Sequence, residues 1–230
     1  MDDGTFEILD PGPRVPRRVP GIVRSCEDVY AALDAAAAEL FLRAGQAVGE
    51  HGEFQLAVSA SGLTLRLIRL LLIDPAMREF PWGKTTVWVA EDEGAEPLGE
   101  LLLDHSGIER ANFHAVGPTT AGELAARFGD RVLGRAGAAR LDASVLGLDG
   151  GWMTDSARVD AADVYCVQGD RAWMGGRHLL GAGSVCVICA GRHVLAPFET
   201  GAPRGGVLEI GRVAAARTLW FLGAEGEASS

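Results

Sequence analysis

What most constrains this chain is an alternation. Short apolar runs rich in β-branched residues recur between segments whose apolar residues fall at helical spacing. The runs are FQLAVSA from Phe54, TTVWVAE from Thr85, NFHAVG from Asn112, DASVLGL from Asp142, DVYCVQ from Asp163, SVCVICA from Ser184 and TLWFLG from Thr218. Between them, Val29, Leu33, Ala37, Leu40, Ala44 and Val48 mark a helix to about Glu50, with SCED before it offering a cap at Ser25. LTLRLIRLLL, starting at a glycine turn, reads as a second helix, and TAGELAARFGDRVLG as another, capped by Thr120 with Glu123. Strands that are apolar throughout and separated by amphipathic helices belong in a mostly parallel sheet covered on both faces. The expected architecture is therefore one α/β domain over residues 21–230, preceded by an extended segment over residues 1–20. The prolines of PGPRVPRRVP, which fix φ and lack the N–H donor, rule out a helix there.

Charge narrows the partners. A formal net charge of −10 over 230 residues argues against nucleic acid or an anionic membrane surface. No apolar run approaches the roughly 20 residues that span a bilayer. The acidic start MDDGTFEILD lacks the basic and apolar regions of a signal peptide, which leads to a cytoplasmic expectation. Cys186 and Cys189 have C-x-x-C spacing, but on a strand residues three apart face opposite sides, so both read as buried core thiols. No His/Cys/carboxylate spacing suits a metal, and no G-x-G-x-x-G suits a nicotinamide cofactor, so neither is expected.

Ligands of open parallel sheets bind where strands end at their carboxyl side. Four loops follow from that rule. SASGLT brings Ser59, Ser61 and Gly62 to a strand-to-helix turn, where backbone N–H groups and the helix dipole favour an anion. EDEGAEP sets Glu91, Asp92 and Glu93 side by side, an arrangement that raises carboxylate pKa values and suits a general base or acid. GLDGGWMTDS carries Asp149 and Asp155 but no histidine. Arg192 and His193 leave SVCVICA, and Arg177 follows a glycine pair, so either group is placed to close over a phosphate.

Taken in order, these loops resemble those of the 6-phosphogluconolactonase and glucosamine-6-phosphate isomerase/deaminase family. The first loop of that family reads S-G-G-x-T-P; here Ser59 matches its serine, Ala60 and Ser61 replace the glycine pair, and Thr64 stands in place of proline. Asp92, Glu93 and Pro97 match the lactonase pattern D-E-R-x-x-P, with Gly94 in place of arginine. In the third loop, G-x-G-x-D-G-H-T-A-S, Gly147, Thr154 and Ser156 match, whereas Gly151, Trp152 and Met153 replace the aspartate, a glycine and the histidine. Arg177 sits where the lactonases carry the arginine of R-I-T-L-T; Gly191, Arg192 and His193 represent G-x-x-K without its lysine; and TLWFLGAEG is similar to W-F-L-D-x-A, with Gly223 in place of aspartate.

The resemblance implies the sugar-phosphate isomerase-like (NagB/RpiA/CoA-transferase-like) fold and a small sugar-derived substrate. It also implies lactone hydrolysis with a degenerate catalytic loop. Asp92 or Glu93 would be the base, with Asp149 and Asp155 as replacements for the missing groups. Ser59, Ser61, Gly62, Arg177, Arg192 and His193 would hold the phosphate. A thioether exchanges no proton near neutral pH, so the usual mechanism cannot run through Met153. Two alternatives stand beside this one: a non-catalytic relative that binds a ligand or partner, and a changed activity on another sugar-derived substrate.

Overall fold

The computed structural model describes residues 21–135, 140–148, 163–191 and 218–224. Seven strands form one all-parallel sheet: β1 (Ile22–Cys26), β2 (Phe54–Val58), β3 (Thr85–Val89), β4 (Phe113–His114), β5 (Ala143–Leu148), β8 (Ser184–Ala190) and β9 (Thr218–Gly223). Their order is β1-β9-β8-β5-β2-β3-β4. β2, β3 and β5 are buried at every position, because both faces of the sheet are covered. One cluster holds the buried side of helix α1 (Val29–His51) with Leu56, Val87, Val145 and Phe221. The other holds Trp88, Leu146, Val187 and Trp220 with Phe128 of helix α4 (Ala121–Phe128). Cys186 and Cys189 fall in opposite clusters, as strand alternation requires, and burial pushes both thiols up to about 12. The expected α/β class and parallel sheet are thus present.

Several local readings need correction. Ser25 does not cap α1: it lies in edge strand β1, and Asp28 is the cap, accepting from Ala31 N at 2.8 Å. Thr120 does stand at the N-cap of α4, its carbonyl accepting Leu124 N at 2.9 Å, but its hydroxyl makes no cap bond and turns back to Gly117 at 3.0 and 3.2 Å. DVYCVQ contributes β6 (Tyr165–Gln168), which pairs antiparallel with β7 (Arg171–Met174) in a separate two-stranded sheet. Helix α2 (Gly62–Ile73) stands as read, but helix α3 (Ala95–His105) grows out of the acidic loop. A short helix, α5 (Gly176–Leu180), follows β7.

One buried titratable group belongs to this scaffold. His114 on edge strand β4 is 3% exposed and stacks on Trp88 with ring centroids 4.2 Å apart. Its Nε2 has no hydrogen-bond partner among the described residues. Burial first, then the positive charges of Arg127 and Arg131, pull its pKa from 6.5 down to about 4. The unfolded chain therefore takes up a proton that the folded one refuses between those values. Stability is full above pH 6.5 and declines as pH falls towards 4, by about 3 kcal/mol in total. Urea titrations at pH 7 and 4.5 should show this decline in the wild type and a shallower one in His114→Phe. Equal slopes in the two proteins would refute it.

Candidate functional site

The strand order places the site. From β2 the chain moves outward through β3 and β4, then crosses back to lay β5 on β2's other side. The carboxyl ends of β2 and β5 are therefore the switch point where the connections diverge, the position at which open α/β sheets have their ligand crevice.

A small hydroxyl network lies at that switch point. Ser59 is fully buried, and its hydroxyl accepts from Gly147 N at 2.9 Å and lies 3.0 Å from the Thr64 hydroxyl. Ser59 N donates to Val145 O at 2.9 Å, carrying the pairing of β2 and β5 past the last strand residue. Ser61 caps α2, accepting from Thr64 N at 3.1 Å, and meets the Thr64 hydroxyl at 3.1 Å. A Cβ at Gly147 would run into Ser61 Oγ and approach Leu63 Cβ and Thr64 Oγ1 to 3.0 Å, so a larger residue there would displace the capping hydroxyl. Of the residues expected to hold an anion, Ser61 and Gly62 remain on the accessible side of the turn, whereas Ser59 is structural cement beneath it.

The acidic loop after β3 divides its carboxylates among different tasks. Asp92 Oδ2 accepts from Ala172 N at 3.0 Å and Oδ1 from Glu93 N at 2.9 Å. Asp92 N in turn donates to Ala172 O at 3.1 Å, so this residue straps the β6–β7 hairpin to the end of β3. Glu93 is exposed and pairs with Arg171 on the same hairpin at 2.7 Å. Glu91 turns instead to the first loop: it is 8% exposed, and its Oε1 accepts from Ala60 N at 2.9 Å.

Arg177 is exposed at the start of α5 and makes no ion pair among the described residues. Asp149, Asp155, Arg192 and His193 lie outside the described residues, as do Trp152 and Met153. A groove of about 700 Å3 runs beside α3 and β4 towards the sheet edge, bordered by Asp92, Glu96, Glu100 and Asp104. Among the described residues no cluster of three or more His, Cys, Asp or Glu could hold a metal ion, and no helix is long and apolar enough to cross a membrane.

No protein-family model matches the sequence, and no curated protein matches it. Solved structures do. The 6-phosphogluconolactonase of Thermotoga maritima superposes over 88% of this chain and 99% of its own, with a TM-score of 0.67 at 15% identity. That of Shewanella baltica gives 0.62 over 90% and 98% at 16% identity. That of Trypanosoma cruzi gives 0.68 over 89% and 94% at 12% identity. The fold is that of the 6-phosphogluconolactonases.

Set on a 6-phosphogluconolactonase fold, two departures from the lactonase sequence pattern acquire a steric cause. Gly94, where the pattern has arginine, sits at φ +81°, and a Cβ there would come within 2.6 Å of Ala60 O. L residues avoid that region of φ, so a side chain is excluded twice over. Gly223, where the pattern has aspartate, ends β9 against the first turn of α1; a Cβ would lie 2.5 Å from Val29 N and 2.8 Å from the Asp28 carbonyl carbon. The sequence offers Glu91 as one of three adjacent carboxylates suited to acid–base work and Thr64 as a hydroxyl of the first loop; the structure instead sets Glu91 Oε1 on Ala60 N and the Thr64 hydroxyl between Ser59 and Ser61.

Proposed function

We propose that this chain hydrolyses a sugar-phosphate lactone, as a divergent relative of the 6-phosphogluconolactonases, with a base other than the histidine of the family pattern. One observation carries the reading. The loop after β2 is tied at the switch point to the end of β5 by Ser59–Gly147 and to the loop after β3 by Glu91–Ala60, contacts of 2.9 Å each, where open α/β sheets bind ligands. The N-terminus of α2, behind Ser61 and Gly62, suits an anionic group on the substrate. Arg177, Arg192 and His193 are proposed to complete its neutralisation.

Lactone hydrolysis needs a base to take a proton from water as it attacks the ester carbonyl, and donors for the oxyanion that forms. The oxygens of Asp92 face backbone N–H groups, and Glu93 faces Arg171. The base is therefore proposed to be Asp149 or Asp155, on the segment that leaves β5 at the crevice. The test is hydrolysis of fresh 6-phosphogluconolactone against the spontaneous rate. Acceleration is expected, with a loss of about 100-fold in Asp149→Asn or Asp155→Asn and most of the rate kept in Asp92→Asn. No acceleration by the wild type would end the lactonase reading. Loss confined to Asp92→Asn would return the base to the second loop.

A second reading, a ligand-binding relative without catalysis, is favoured by one observation: the Ser59 hydroxyl is buried against Gly147 N and so withdrawn from a phosphate. Binding of 6-phosphogluconate without hydrolysis of the lactone would support that reading.

A further inference from the structure

We infer that Glu91 is a positioning residue: with Gly94 it clamps Ala60 from both sides and so fixes the anion-facing turn Ser59–Gly62 for substrate. The role at the crevice rests on the reading that substrate binds there; the clamp itself is observed directly. Ala60 lies between the buried Ser59 and the capping Ser61, so its peptide groups set how Ser61 and Gly62 are presented. Glu91 Oε1 takes the Ala60 N–H at 2.9 Å. On the other side, the Ala60 carbonyl packs so closely on Gly94 that a Cβ there would approach it to 2.6 Å. The loop after β3 thus bonds the N–H of this one residue and packs against its carbonyl.

The clamp also reaches the hairpin. Glu91 forms an isolated antiparallel bridge with Trp173, flanked by Met174 N to Ala90 O at 2.6 Å and Asp92 N to Ala172 O at 3.1 Å. The first loop, the second loop and the hairpin therefore hold one another, with Glu91 at the junction. Sequence spacing assigns base chemistry to this acidic run, whereas the geometry assigns its most buried member to holding the turn.

The experiment compares Glu91→Ala, Glu91→Gln and Gly94→Ala in the full chain. Glutamine keeps an oxygen that can accept the Ala60 N–H; alanine does not. Amide hydrogen exchange at Ala60, read by NMR, should quicken about 10-fold or more in Glu91→Ala and Gly94→Ala and stay near wild type in Glu91→Gln. With fresh 6-phosphogluconolactone, the alanine variants should raise KM about 10-fold with a smaller change in kcat, and glutamine should rescue both. Unchanged exchange at Ala60 in Glu91→Ala overturns the clamp. Equal loss of kcat in Glu91→Gln and Glu91→Ala, with Ala60 protection intact in the former, also overturns it and makes the charge itself the function. Should the wild type fail to hydrolyse the lactone, the exchange measurement still decides for or against the clamp, so the two readings fail separately.

Discussion

Restoring the aspartate of the lactonase pattern at position 223 is expected to destabilise this protein by more than about 3 kcal/mol. Two effects compete. A carboxylate at the end of β9 would sit beside the N-terminus of α1, where the helix dipole favours negative charge by about 0.3–1 kcal/mol. Against this, the first side-chain atom already lands 2.5 Å from Val29 N and 2.8 Å from the Asp28 carbonyl carbon. Those are backbone atoms, so no rotamer change relieves the overlap. Nor can β9 withdraw, because Gly223 is paired with Cys26 on one side and Ala190 on the other, and its carbonyl accepts from Gly191 N at 3.1 Å. The steric term wins. Urea unfolding of Gly223→Asp and Gly223→Ala should show similar large losses, since the Cβ alone makes the clash. A wild-type midpoint in Gly223→Asp would mean that α1 enters the sheet differently from the geometry described.

The same example shows where the sequence speaks and where it falls silent. The central strands were legible because burial on both faces demands unbroken apolar runs, and FQLAV, TTVWV and SVCVICA have no other economical reading. Edge strand β1 was not, because IVRSC carries Arg24 and Ser25 on a half-solvated rim and is made a strand only by pairing with β9. Helix α3 was hidden by Pro97 and Gly99. Proline is tolerated in a first turn, whose N–H groups lack intrahelical partners, and Gly99 makes room for the Phe113 ring, which a Cβ would meet at 3.2 Å. The loops of the crevice were located by strand polarity alone. Their internal division of labour was not, since it rests on hydrogen bonds between residues 31, 80 and 88 positions apart. Local spacing gives Asp92, Glu93 and Glu91 equal claims; the hairpin decides among them by supplying Ala172 N to one and Arg171 to another.

Asp142→Ala is the second large effect, expected at about 2–4 kcal/mol, somewhat below the cost of removing one partner from a fully buried ion pair. Asp142 and Arg135 are each 10% exposed at the side chain and meet in a fork of 2.7 and 3.0 Å. The same carboxylate accepts from Gln55 N at 2.7 Å, and its own backbone N–H returns a bond to Gln55 O at 2.9 Å. Asp142 thus fixes where β5 begins beside β2, five residues before Gly147 meets Ser59. Losing the carboxylate leaves a guanidinium and a backbone donor without that acceptor, and both costs fall on the folded state. Asp142→Asn keeps one acceptor for Gln55 N and should lose about half as much. The pair itself is less valuable than its breakage suggests, because desolvating both ions offsets much of their attraction. A double variant, Asp142→Ala with Arg135→Met, should therefore be more stable than Asp142→Ala alone. Denaturant melts of the three proteins test this directly. If the double variant is the least stable, the ion pair contributes net stability of its own. If Asp142→Ala is within about 1 kcal/mol of wild type, the start of β5 is set by something other than this carboxylate.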